Sequence, residues 1–318
     1  MKRTAGLLAA LLLSTGVLAQ SYPNKTIRVI VPFTAGSGTD IIARTVSERL
    51  GAQMGQTLVV ENRAGAGGTI GQALVAKADA DGYTILMHSS SQTVTPSTYA
   101  NLPFDAAKDF SGITMLANIP NILVVSPAQG FKSARDLVSA AKAKPGSLNY
   151  ASAGMGSATH LNAERFKLGA GIDAVHVPYK GTPEAIADLI AGRVNYYFCP
   201  VVNALPLVKD GKLAALATGS SRRSSALPDL PTTVEAGIPN SAYNFWVGMF
   251  VPSKTPRDVV SRLHAETVKA LQSPEVKERY GRLGAELQIS SPEEFDAYIR
   301  DEIVANAVLV KAAGIKAQ

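Results

Sequence analysis

Two loops rich in glycine and hydroxyl side chains are the parts of this sequence best suited to bind a small anion. Glycine lets the backbone approach a ligand closely, and free N–H groups at a helix start favour negative charge. Either loop alone could equally be a tight turn followed by a helix cap. The candidate ligand-binding residues are Phe33, Ala35, Gly36, Ser37, Gly38, Thr39 and Asp40 in the first loop, and Gly154, Gly156, Ser157, Thr159 and His160 in the second.

Two further loops could complete the same site. Ser89 and Ser90 follow a predicted strand in a segment dense in hydroxyls, and Gly181 and Thr182 lie between another predicted strand and a helix. Ligands of open parallel α/β sheets bind in loops of this kind, at the carboxyl ends of strands. We expect the Gly181 backbone and the Thr182 hydroxyl to contact the ligand, rather than the charge of Lys180, which could equally be solvated.

Enzymatic, cofactor and metal chemistry is not indicated by the residues. His160 is a lone histidine in the first turn of a predicted helix, where a structural role is commoner than catalysis. The loop at 62–71 lacks G-x-G-x-x-G spacing because Ile70 occupies the last glycine position, and no G-x-S-x-G elbow exists. The four histidines show no metal-ligand spacing, and Cys199 reads as a buried thiol. The sequence predicts no catalytic residue, no metal and no cofactor.

Short apolar runs alternate with amphipathic stretches, as in layered α/β folds. One unit is predicted as strand 26–32, helix 40–54, strand 58–61, helix 71–80 and strand 83–87, with parallel pairing implied by the crossovers. A second unit follows with helices at 133–144, 159–168, 183–191 and 203–209, and strands at 148–151, 174–179, 194–198 and 213–218. Segments 113–125 and 243–251 are predicted to cross between two lobes. Helices at 256–272, with Thr255 as N-cap, at 274–283 and at 292–313 complete the chain.

The N-terminus has the form of a secretory signal peptide. Lys2 and Arg3 precede an apolar run too short to span a bilayer, and cleavage is expected after Ala19. The formal net charge is +6, from 31 basic and 25 acidic residues. The basic residues are scattered, which argues against nucleic-acid binding. We expect an exported chain in the periplasm.

A set of motifs along the whole mature chain resembles one known family. In order they are VPFTAGSGTD, ENRAGAGGTIG, DGYTILMHSS, NYASAGMGSATHL, VHVPYKGTPEAI, LPDLPTTVEAG and FWVGMFVPSKTP. They are similar to the Bug (TctC-like) extracytoplasmic solute receptors of tripartite tricarboxylate transporters. The resemblance implies an α/β, two-lobed periplasmic binding protein (type II-like), each lobe a sheet flanked by helices, with the cleft between the lobes. Lobe 1 is predicted at 20–118 plus 248–318, with C-terminal helices that can pack across both lobes, and lobe 2 at 119–247.

The resemblance also implies the function. The two glycine-rich loops would hold one carboxylate as the lobes close by hinge motion, and residues near Ser89, Thr182 and Pro200 would read the rest of a di-/tricarboxylate or aromatic carboxylate. The implied partners are a large and a small integral membrane transporter subunit, with the receptor itself a monomer. A sensing receptor that feeds a membrane kinase is the alternative, and an exported hydrolase using Ser157 with His160 is less favoured.

Two departures from the family pattern affect the ligand. Ala64 stands where the family commonly has proline, and Asn195 with the run Phe198, Cys199 and Pro200 replaces an acidic pattern. The second change lies at a predicted strand end beside the cleft. The ligand of a typical member therefore cannot be transferred to this chain.

Overall fold

A computed structural model describes residues 22–318 of the chain. The predicted signal peptide, with its cleavage after Ala19, lies outside these residues. The described part contains two β-sheets, each covered by helices. Within it, no helix combines the length and the apolar character needed to cross a membrane.

The first sheet has six strands in the order β11-β4-β10-β3-β1-β2. Parallel pairing of β1 with β2 and β3 confirms the prediction from the crossovers. The predicted unit is incomplete, however, because β10 returns from the far end of the chain and pairs antiparallel with both β3 and β4. The strands are β1 (Ile27–Val31), β2 (Leu58–Asn62), β3 (Thr84–Ser89), β4 (Phe110–Asn118), β10 (Trp246–Pro252) and β11 (Glu286–Leu287).

The second sheet has five strands in the order β7-β6-β8-β5-β9. β6 pairs parallel with β7 and β8, whereas β5 runs antiparallel to β8 and β9. Four of these strands match predicted ones, and β5 comes from the first predicted crossing. The strands are β5 (Asn121–Val125), β6 (Asn149–Ser152), β7 (Val175–Pro178), β8 (Tyr196–Pro200) and β9 (Ala214–Thr218).

Ten α-helices cover the two sheets in the described residues. Polar caps account for several of their starts: α4 and α10 begin with capping boxes at Ser133 and Ser291. The predicted cap Thr255 is wrong, because Pro256 keeps an extended ψ of 142° and occupies the N-cap of α8 itself. The helices are α1 (Gly38–Met54), α2 (Thr69–Ala76), α3 (Thr95–Thr98), α4 (Ala134–Ala143), α5 (Ala158–Ala170), α6 (Thr182–Ile190), α7 (Val201–Lys209), α8 (Arg257–Leu271), α9 (Pro274–Leu283) and α10 (Pro292–Ala312).

The chain crosses between the sheets at two adjacent places. β4 of the first sheet leads through Ile119 and Pro120 directly into β5 of the second. The return path enters β10 from Phe245, whose carbonyl accepts a hydrogen bond from Ile119 N–H at 2.8 Å. Two adjacent crossings, joined by a hydrogen bond, between otherwise separate sheets are where a hinge rotation can occur.

Candidate ligand-binding cleft

A small cavity lies between the two sheets, lined from both sides. Its volume is about 10 Å³, which is room for about one water molecule. The first sheet and the crossing contribute Phe33, Ser37, Gly38, Thr39, Ser91 and Phe245. The second sheet contributes Ala153, Ser157, Ala158, Thr159, Thr182 and Pro200.

Four helices begin at this cavity, because each follows a strand whose carboxyl end points to the cleft. They are α1, α5, α6 and α7, and each has its first helical residue or its N-cap among the lining residues. The starts differ in one respect. Ser157 caps α5 by accepting from His160 N–H, but the Ser37 side chain makes no such bond to α1. The first turn of α1 therefore keeps N–H donors that its own cap does not satisfy.

Hydroxyl groups of the first lobe already bond helix starts of the second. Ser37 Oγ accepts from Thr182 N–H at 3.1 Å, and Ser91 Oγ accepts from Ala158 N–H at 2.9 Å. Both serines are almost fully buried. The two lobes therefore meet through polar contacts at the cavity wall, in a closed arrangement.

Contacts outside the cavity hold the same closed arrangement. Asn203 Nδ2 donates to Gly36 O at 2.7 Å, Thr34 Oγ1 donates to Glu184 Oε2 at 3.0 Å, and Tyr99 Oη donates to Met155 O at 3.1 Å. Each bond joins the first lobe to the second. These three bonds can form only when the loops of the two lobes meet. They therefore stabilise the closed arrangement of the lobes.

Glycines make this close approach possible. Gly67, at φ +61°, lies against the Met155 carbonyl of the opposite lobe, and a Cβ at position 67 would overlap that oxygen. A Cβ at Gly181 would overlap Thr34 Oγ1, again across the cleft. Gly67 belongs to the glycine-rich loop that sequence reasoning considered only as a dinucleotide fingerprint. The structure places it at the seam between the lobes.

Eight of the predicted ligand-binding residues line the cavity: Phe33, Ser37, Gly38, Thr39, Ser157, Thr159, Thr182 and Pro200. The other predicted residues lie beside it. Ser89 Oγ contacts Ser91 Oγ at 2.9 Å, and Ser90 O accepts from Thr93 Oγ1 at 2.8 Å, so both support the segment that carries Ser91. The remaining predicted glycines and Ala35 shape the loops through their backbone: Ala35, Gly36, Gly154, Gly156 and Gly181.

Asp40 holds the first loop rather than facing the cavity. Its buried carboxylate accepts from Gly36 N–H at 2.8 Å, from Arg44 Nε at 2.9 Å and from Asn62 Nδ2 at 2.8 Å. These partners fix the turn that presents Ser37 and the start of α1. Because these donors already engage both carboxylate oxygens and Arg44 pairs with the charge, we expect the role of Asp40 to be structural.

This arrangement predicts the effect of removing the Asp40 carboxylate. Asp40→Ala leaves Gly36 N–H without its acceptor and removes one of the two acceptors of Asn62 Nδ2, and should lower the free energy of unfolding by about 2 kcal/mol. Asp40→Asn should recover part of this loss, since an amide oxygen can still accept from Gly36. Urea unfolding of both variants measures the effect, and an unchanged midpoint for Asp40→Ala would contradict it.

His160 is part of a buried ring stack. Its ring centroid lies 4.1 Å from that of His176, and Nδ1 accepts from Gly156 N–H at 3.3 Å. Burial, with a smaller effect of Lys167, lowers the pKa of His160 to about 4, so the ring is neutral at pH 7. Ser157 Oγ accepts from the backbone N–H of His160 as a helix cap. These contacts give the pair a structural role and no nucleophile–base geometry.

Four lining residues were absent from the sequence prediction: Ser91, Ala153, Ala158 and Phe245. Ser91 was detectable, because it continues the hydroxyl run after β3. Phe245 gave no local signal, since it comes from the crossing before β10 and reaches the cavity only through the two-lobed topology.

Metal chemistry has no support from the described side chains. Across residues 22–318, no group of three or more His, Cys, Asp or Glu residues is placed to hold a metal ion. Cys199 is fully buried in β8, and burial raises the pKa of its thiol. A reactive thiolate is therefore not expected there.

Comparisons with known proteins agree with this two-lobed architecture. Residues 42–315 match the family described as Tripartite tricarboxylate transporter family receptor. Protein BugT of Bordetella pertussis is 36% identical over 302 residues, covering 94% of this chain and 93% of that protein. The structure of periplasmic binding protein BugD superimposes with a TM-score of 0.89 at 33% identity, covering 93% of this chain and 100% of BugD. Rpa4515 of R. palustris, solved with adipate, gives a TM-score of 0.90 at 33% identity, with 93% and 100% coverage.

Proposed function

Because this chain belongs to the tripartite tricarboxylate transporter receptor family, we propose that its cleft captures a small organic carboxylate outside the cytoplasm for uptake. The observation that carries the proposal is the start of α1. Its first turn has no side-chain cap and lies across a hydroxyl-lined cavity from the start of α5. Unsatisfied N–H groups and the positive end of a helix dipole favour an anion. The adipate complex of Rpa4515 supports the same ligand class.

The geometry suggests an order of events. With the lobes apart, the carboxylate meets the N–H groups of Gly38 and Thr39 at the start of α1. Closure then brings Ser157 and Thr159 to its other side and forms the cross-lobe bonds, including Tyr99 to Met155. A cavity of about 10 Å³ is smaller than a carboxylate needs, so the cavity walls must move slightly apart to admit one.

The remaining parts of the proposal concern compartment and partners. The protein acts in the periplasm, after removal of a signal peptide. As a monomer, it presents its closed, liganded form to a large and a small integral membrane subunit, which carry out transport. It binds its solute and performs no catalysis on it.

Thermal unfolding with matched ligands tests the proposal. A ligand that binds only the native state raises the melting temperature by mass action. Carboxylates should raise it, and the corresponding primary amides should not. Amides that match or exceed the acids would contradict an anion site.

A variant pair locates the effect in the cleft. Ser157→Ala and Ser273→Ala each remove a serine that caps a helix, but only Ser157 lines the cavity. Both should lose about 1 kcal/mol of stability. Only Ser157→Ala should also weaken carboxylate binding, by about tenfold, because it removes a hydrogen bond to a charged group. Equal affinities for the two variants would exclude Ser157 from the site.

A further inference from the structure

We infer that the solute carries one carboxylate as its only charge, attached to an uncharged and largely apolar body. This inference rests on the carboxylate-binding function proposed above and narrows it. It concerns the half of the solute that lies beyond the α1 and α5 starts. Every candidate solute would place a carboxylate in the same clamp, by which we mean the site formed by the starts of α1 and α5. The rest of the cavity therefore decides among the candidate solutes.

The cavity wall is built from two kinds of neutral residue. The hydroxyl side chains surround the starts of α1 and α5, and the rest of the wall is apolar, with Phe33, Phe245 and Pro200 as its largest members. All three are in the buried class. An ammonium or a second carboxylate beside them would lose its hydration without gaining a partner, which is strongly unfavourable.

The other two helix starts have little left to offer a second anion. Thr182 N–H of α6 is bonded to Ser37 Oγ at 3.1 Å, and the next residue, Pro183, has no N–H. Val201 N–H of α7 is bonded to Pro120 O at 2.8 Å, behind Pro200. The first donor of each of these starts is therefore committed to the fold or to closure. The α1 start, whose N-cap serine makes no bond to its first turn, keeps the backbone donors best placed for a carboxylate, and the α5 start adds the hydroxyls of Ser157 and Thr159.

The rim also opposes a second negative charge. Thr34 Oγ1 donates to Glu184 Oε2 at 3.0 Å, which fixes a carboxylate where the lobes meet. The nearby Lys180 is exposed and is free to remain in solvent. A diacid that reached from the clamp toward this rim would meet Glu184 at close range.

Phe33 and Phe245 are the residues that would select the body of the solute. The Phe33 ring is fixed by His88, with ring centroids 5.5 Å apart. Phe245 is fixed through its backbone, because its carbonyl accepts Ile119 N–H at the crossing. Two held aromatic side chains from different elements form a rigid apolar wall, which suits a short alkyl or aromatic group.

Calorimetric titration of the mature wild-type chain with three six-carbon acids tests the inference. Hexanoate, adipate and 6-aminohexanoate share a chain length and one carboxylate, and differ in a neutral, negative or positive far end. Hexanoate should bind at least about 100-fold more tightly than either of the others, because they bury an unpaired charge. Benzoate should exceed terephthalate by a similar factor.

The outcomes separate this inference from the proposed function. Adipate or terephthalate binding as tightly as its monoacid would overturn the inference and leave carboxylate capture intact. Hexanamide binding as tightly as hexanoate, or all five acids failing to bind at 10 mM, would overturn both.

Phe245→Ala should weaken the binding of hexanoate about tenfold. Phe131→Ala, which changes a partly buried phenylalanine of the second lobe, should not weaken it. Phe245→Leu keeps most of the apolar wall and should lie between them.

Discussion

Replacing Gly67 by alanine should weaken carboxylate binding by about 100-fold while leaving both lobes folded. The new Cβ would overlap the Met155 carbonyl, a backbone atom of the opposite lobe that cannot rotate away. Tyr99 Oη, which donates to the same carbonyl, crowds this position as well. The lobes could therefore not close fully. A ligand that is contacted by both lobes binds weakly when one lobe cannot reach it. A loss of about 100-fold corresponds to roughly 3 kcal/mol of closure energy.

Gly55→Ala is the matched control for this substitution. Gly55 has φ +67°, close to the +61° of Gly67, and lies in the same lobe at the C-cap of α1, with nothing within 4 Å of an added Cβ. Both variants therefore carry a similar left-handed backbone strain of about 1 kcal/mol. Only Gly67→Ala also obstructs closure. Titration with a carboxylate that the wild-type chain binds should show normal affinity for Gly55→Ala. An equal loss of affinity in the two variants would contradict a role for the contact between Gly67 and Met155 in closure.

Acid should destabilise the protein well above the range in which most carboxylates titrate. Burial lowers the pKa of His88 to about 3, that of His160 to about 4, and that of His176, which stacks on His160, to about 3. The unfolded chain protonates histidine near pH 6.5. The stability from these neutral rings is therefore complete above pH 6.5 and is lost as the pH falls toward 4. Each ring should cost about 2.5 kcal/mol between pH 7 and pH 4.5, or about 7 kcal/mol for the three together.

Urea unfolding at pH 7 and pH 4.5 measures this loss. His160→Gln should remove about a third of the pH dependence, because it removes one of the three buried neutral rings. The charge would also act on the site, because His160 accepts from Gly156 N–H in the second loop and His88 supports Phe33. An unfolding free energy that stays level between the two pH values would contradict this account.

Local sequence was sufficient for the first loop and for most elements. Glycine and hydroxyl spacing after an apolar strand predicted a loop at Ser37, Gly38 and Thr39, which line the cavity, because strand, turn and helix start are all local features. The same reasoning placed Ser89 and Ser90 in the site. A 3₁₀ turn after β3 instead brings Ser91, the next residue of the same hydroxyl run, to the cavity.

Features that depend on long-range contacts could not be predicted. Phe245 reaches the cavity from the crossing, and Gly67 meets Met155 only when the lobes close. The antiparallel insertion of β10 between β3 and β4 was also missed, because parallel crossovers were the only pairing that local order implied. Asp40 is a residue for which the sequence predicted ligand contact from its position in the loop. In the structure its carboxylate instead accepts hydrogen bonds from Gly36, Arg44 and Asn62.

A crystal structure of the mature chain with a tightly bound carboxylate tests the central claim most directly. We expect one carboxylate between the lobes, accepting hydrogen bonds from the N–H groups of Gly38 or Thr39 on one side and from Ser157 or Thr159 on the other. The Tyr99 to Met155 contact should be present or slightly lengthened. A carboxylate bound to one lobe alone, or held by a basic side chain away from this cavity, would contradict the clamp.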